Sequence, residues 1–146
     1  MRKKLYYKCP DEGRDLGKTY LLTEMSATAG ELWAARAFFA MANNGIDIPD
    51  SARDSGMAGF ASFALQLLGK LPFAEAAPLM AEMFSCVQFV PDPANPDFAR
   101  SLVENDIEEI KTRLKIRMEL LKLHSDFFTA VGTSTSAPST AATSAG

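Results

Sequence analysis

Two stretches of the chain carry more apolar surface than a small helical domain hides by itself. From Leu32 to Ala42 the sole polar residue is Arg36, and from Met57 to Leu68 only Ser62 and Gln66 interrupt the run, with Gly59 neutral. A helix on the surface of a small domain carries a polar face; these two barely have one. One helix can be buried on all sides in a small bundle, but 146 residues leave most helices partly exposed. Some of this surface is therefore expected to meet another chain. Methionines at 25, 41, 57, 80, 83 and 118 fit a surface that adapts to varied apolar partners. Ordinary core filling by Met and Phe is the competing reading. The residues expected to form the contact surface are Trp33, Phe38, Phe39, Phe60, Phe63, Met80, Met83 and Phe84.

The elements around those stretches follow from local signals. Leu5–Cys9 and Lys18–Thr23 are rich in strand-forming types, and Pro10, Asp11, Gly13, Asp15 and Gly17 between them are turn residues. Residues 4–24 therefore read as a β-hairpin with a long polar loop, which must pack on something else because two strands alone are marginal in water. Thr28-Ala29-Gly30-Glu31 reads as a capping box opening the first helix, and Asn43-Asn44-Gly45 as its stop. A second helix is expected over Met57–Leu68, ended by Gly69, and a third over about Phe73–Val87, with Pro78 near its first turns. Pro91, Pro93 and Pro96 break the chain into an extended loop. Ser101–Glu104 reads as a further capping box for the longest helix, to about Phe128. Along it acids precede bases, which complements the helix dipole, and Ile107, Ile110, Leu114, Leu121 and Phe128 share one face, widened by Leu120, Leu123 and Phe127. Residues 129–146 hold no charge and only small residues after Val131, a composition that cannot offset ordering entropy. The expected fold is mainly α, about four helices with an N-terminal β-hairpin in one small domain. The hairpin arm covers 1–25, the helical domain 26–128 and a disordered low-complexity tail 129–146.

Little chemistry accumulates. Gly13-Arg14-Asp15-Leu16-Gly17-Lys18-Thr19 resembles a phosphate-binding loop, but only three residues lie between its glycines where the motif has four, and Glu12 stands where the motif needs glycine. His124, Ser125 and Asp126 do not face one another on a helix, so they form no triad. One histidine and two distant cysteines, Cys9 and Cys86, give no metal-ligand spacing, and both thiols are expected reduced. A net charge of −3 supplies no basic surplus for nucleic acid. Arg113-Lys115-Arg117, which a DNA-binding reading would rest on, is better read as a solvated face. No apolar run reaches bilayer-spanning length, and none of signal-peptide length follows Arg2-Lys3-Lys4. The expectation is a non-enzymatic cytosolic protein with no cofactor, no metal and no membrane contact.

Five stretches, in order, resemble the tail assembly chaperones of long-tailed bacteriophages with non-contractile tails: GRDLGKTYLLTEMSATAGELWAARAF (13–38), GIDIPD (45–50), GMAGFA (56–61), AAPLMAEMFSCVQ (76–88) and LVENDIEEIKTRLKIRMELLKLHSDF (102–127). Leu5–Pro10 and the Ser/Thr/Ala tail match no pattern of that family. The resemblance implies a non-virion protein of the host cytoplasm. It would keep the long, apolar, helical tape-measure protein soluble and help recruit major tail-tube subunits around it, with self-association possible. In this class a longer form is often made by ribosomal frameshifting. The alternative is a minor structural or tail-completion protein retained in the virion.

Overall fold

The structure, a computed structural model, describes residues 1–47 and 66–124. The hairpin is present: β1 (Lys4–Lys8) pairs antiparallel with β2 (Thr19–Thr23). It is half of a larger sheet. β3 (Val87–Val90) pairs with the free side of β2, and the two-residue β4 (Arg100–Ser101) pairs with β3, giving the antiparallel order β1-β2-β3-β4. The mainly-α expectation is therefore wrong, and the chain is an α+β domain. Val87-Gln88-Phe89-Val90 is a short β-branched and aromatic run stopped by Pro91, and the unpaired side of β2 offers it a ladder that a helix would forgo.

Among the described residues, three helices whose full bounds are given pack on one face of the sheet. The first, α1 (Ala27–Asn43), starts two residues earlier than the capping box at Thr28 implies: Ser26 is its N-cap and accepts from the Ala29 N–H at 3.2 Å. Its end is the expected one. Gly45 takes φ +67°, the Gly45 N–H bonds the Ala42 carbonyl and the Ile46 N–H bonds the Met41 carbonyl, the paired bonds of a Schellman motif. Residues 66–68 are helical and lead through a turn to α2 (Phe73–Met83). That helix stops earlier than expected, passing through a 3-10 turn at Phe84–Cys86 into β3. Pro78 lies in its second turn and has no N–H to offer the Ala74 carbonyl.

The last helix, α3 (Ile110–Leu123), begins eight residues later than the box at Ser101 implies, because Ser101 is in β4 and residues Glu104–Asp106 form a separate 3-10 turn. Its buried face is the expected one only in part, at Leu120 and Leu121. Thr112, Ile116, Leu120, Arg117 and Leu121 point inward, while Ile110 and Leu114 are exposed. The core joins Tyr20, Leu22 and Val87 from the sheet to Trp33, Ala37 and Met41 of α1, Leu79 and Met83 of α2, and Ile116, Leu120 and Leu121 of α3. On the opposite face Leu21 and Val90 are also buried, and the Tyr6 hydroxyl donates to the Pro96 carbonyl at 3.3 Å, tying the β3–β4 loop to that side. Both cysteines are free and buried. No helix among the described residues is long and apolar enough to cross a membrane. Residues 48–50, most of the expected second helix, the expected end of the last helix at 125–128 and the tail lie outside the described residues.

Candidate functional site

The loop between β1 and β2 answers the phosphate question from inside. Asp15 is almost fully buried and accepts from the Glu108 N–H at 3.0 Å, from the Glu109 N–H at 2.9 Å and from Lys18 Nζ at 3.0 Å. Burial pushes this carboxyl up, but the Glu108 N–H, Lys18, the Thr112 side chain and the Glu109 N–H more than offset it, holding the pKa at about 2. Glu109 is the N-cap of α3, so a carboxylate from a distant loop sits where a helix N-terminus attracts an anion. Lys18, the residue a phosphate-binding loop would present, is committed to Asp15 and to Glu108 at 2.9 Å. The same loop is fastened by Arg14 to the Glu108 carbonyl, Lys111 to the Glu12 carbonyl and Lys115 to Asp11. Next to it Arg100 forks onto Asp106 at 2.7 and 2.8 Å, and Tyr20 donates to the Asp106 carbonyl at 2.8 Å. Arg100 is the main reason that Asp106 ionises below the usual carboxylate range; burial opposes it and the Val103 N–H adds to it. These contacts are structural: every charge in them faces an opposite charge or a backbone partner.

The apolar residues expected at an interface fall into three groups. Phe38 and Phe39 are exposed by 58% and 62%, with their rings edge to face at 5.9 Å, and Leu32 one to two turns earlier on α1 is equally open. Trp33 and Met83 are buried; the indole N–H of Trp33 donates to the Leu79 carbonyl at 3.0 Å, which fixes α1 against α2. Met80 and Phe84 are half-buried against the core, and the ring of Phe84 is covered by the guanidinium groups of Arg113 and Arg117, 4.0 and 4.6 Å from its centroid. Phe60 and Phe63 lie outside the described residues.

Trp33 and Met83 nonetheless line open space. A cavity of about 440 Å³ lies at the start of α1, bounded by Met25, Trp33, Ala34, Met83, Leu121 and Leu123, with Arg2, Glu24, Glu31 and His124 also in its wall. Its shape depends on His124: Nε2 accepts from the Met25 N–H and Nδ1 faces the Leu120 carbonyl, both at 2.8 Å, so the end of α3 is tied to the connection from β2 into α1. Phe38 follows Glu31 by seven residues, about 10 Å along the axis and about 20° from the same direction. Phe38 therefore continues the side of α1 that carries Glu31 and the cavity wall, while Phe39 lies about 100° further round, beside Leu32. Arg36, on the adjacent side, is bound to Glu82 of α2.

The expected contact residues did not include Leu32, Phe73, Ile110 and Leu114, which are all more than half exposed, or His124 of the cavity, and Met25 entered only as one of the adaptable methionines. Leu32 belonged to the apolar run already identified. Met25 and His124 meet only through the pairing of distant segments, which no local pattern reveals. No protein-family model matches the chain, and no curated protein or solved structure matches it either, so the likeness to tail assembly chaperones rests on the five stretches alone.

Proposed function

We propose that this protein is a bacteriophage tail assembly chaperone that binds apolar helical segments of the tape-measure protein and helps recruit major tail-tube subunits, acting in the host cytoplasm. The observation that carries the reading is the adjacent, exposed Phe38–Phe39 pair on α1. An amphipathic client helix recognised at spacing i, i+3 and i+4 needs a rigid apolar strip of this kind. The cavity beside Trp33 and Met83 supplies a recess into which a large client side chain fits, within the about 300–1,000 Å³ usual for ligand pockets. Two phenylalanines on one helix are anchors of the residue class that dominates interface energetics.

Co-expression with the tape-measure protein tests this. The wild-type chain is expected to raise the soluble fraction of that client and to co-elute with it, and Phe38→Ser/Phe39→Ser to lose both effects while staying folded. Equal client solubility with and without the chain overturns the reading. Mass spectrometry of purified virions separates a chaperone, which is depleted there, from a retained tail component, which is stoichiometric.

A further inference from the structure

The free edge of the sheet is a feature independent of α1. In the ladder with β2, the Cys9 N–H bonds the Lys18 carbonyl and the Glu24 N–H bonds the Lys3 carbonyl, both at 2.9 Å. That phase turns the backbone groups of Leu5 and Tyr7 toward β2 and those of Lys4, Tyr6 and Lys8 away from it. Among the described residues the outward N–H and C=O groups of these three have no hydrogen-bond partner, since β1 ends the strand order. The side chains of Lys4, Tyr6 and Lys8 are exposed, and neither lysine has an ion-pair partner among the described residues. An open edge of five residues is a template for another strand.

Charge decides which strand fits. A second copy paired antiparallel along all of β1, centred on Tyr6, sets Lys4 directly opposite Lys8 twice over, and like charges in that position repel. A strand with carboxylates four residues apart, about 14 Å along an extended chain, sets each acid against one lysine. We propose that β1 is a strand-addition site for an extended acidic segment of another protein, of pattern Glu-x-β-branched-x-Glu, whose central residue lies opposite Tyr6.

The test is a titration of a blocked peptide centred on Glu-Thr-Val-Thr-Glu into isotope-labelled full-length protein, followed by amide shifts in about 0.1 M salt. The expected result is saturable shifts at Lys4, Tyr6 and Lys8 with at least tenfold weaker binding of the Lys-Thr-Val-Thr-Lys counterpart. In Lys4→Glu/Lys8→Glu, whose changes are at exposed positions, the preference is expected to reverse. Equal binding of both peptides overturns the proposal, as does no β1 shift at millimolar peptide, which leaves the lysines as guards against strand pairing. Concentration-dependent dimerisation with shifts confined to β1 also overturns it, and assigns the edge to a second copy.

Discussion

Replacing Asp15 by Asn probes the joint that holds the β1–β2 loop to α3. A carboxyl that ionises near pH 2 in the folded chain and at 3.8 when free contributes about 2 kcal/mol at neutral pH. The amide also puts an N–H₂ group where one oxygen accepted, leaving the Glu108 or Glu109 N–H unpaired at a further cost of about 1–2 kcal/mol. The sum, about 3–4 kcal/mol, lowers the melting temperature by roughly 6–16 °C for a chain of this size. The pH dependence carries the sharper signature. Because the folded-state pKa is depressed, the contribution is complete above about pH 4 and is lost as pH falls toward 2, with about half gone at pH 3. Urea unfolding of wild type and Asp15→Asn at pH 6, 4 and 3 is expected to show the stability gap closing by about 1 kcal/mol between pH 6 and 3. A gap below 1 kcal/mol at pH 6, or one that stays constant across the series, refutes the reading of Asp15 as a buried anion at the head of α3.

Three further changes separate structure from surface. Tyr20→Phe removes a buried donor to the Asp106 carbonyl and is expected to cost about 1–2 kcal/mol in urea unfolding, with the backbone unchanged by circular dichroism. Gly13→Ala places a Cβ 2.6 Å from Glu109 Oε2 at a φ of +142°, so a loss of at least about 1 kcal/mol is expected in the same assay. Phe38→Ser/Phe39→Ser, at positions more than half exposed, is expected to shift unfolding by less than about 1 kcal/mol while weakening client binding at least tenfold by titration calorimetry.

Local signals carried the hairpin, the body of α1 and its glycine stop, because turn chemistry and capping act within a few residues. They failed where tertiary pairing decides. Val87–Val90 continues an apolar helical run in sequence, yet it becomes a strand because β2 has a free side. Ser101–Glu104 has the letters of a capping box, but β4 uses Ser101, and the cap of α3 is completed by Asp15 from a loop about ninety residues away in sequence. The rotation of α3 follows from the same joint: Thr112 faces Asp15 and Cys9, so Ile110 and Leu114 turn outward although their spacing suits a core. For the candidate site, the apolar surplus of residues 32–42 was legible and half of it is open. Which residues are open was not, since the run is apolar on nearly every side and the groups that cover the Trp33 side, Leu79 of α2 among them, come from elsewhere in the chain.

The central claim is that the open side of α1 binds an apolar helix. Its most direct test is hydrogen-exchange mapping of the full-length protein with and without an amphipathic helical segment of the tape-measure protein. The account predicts slowed exchange or solvent exclusion concentrated at residues 30–42 and at the cavity residues Met25 and His124. A footprint confined to β1, or no footprint at saturating client, contradicts it.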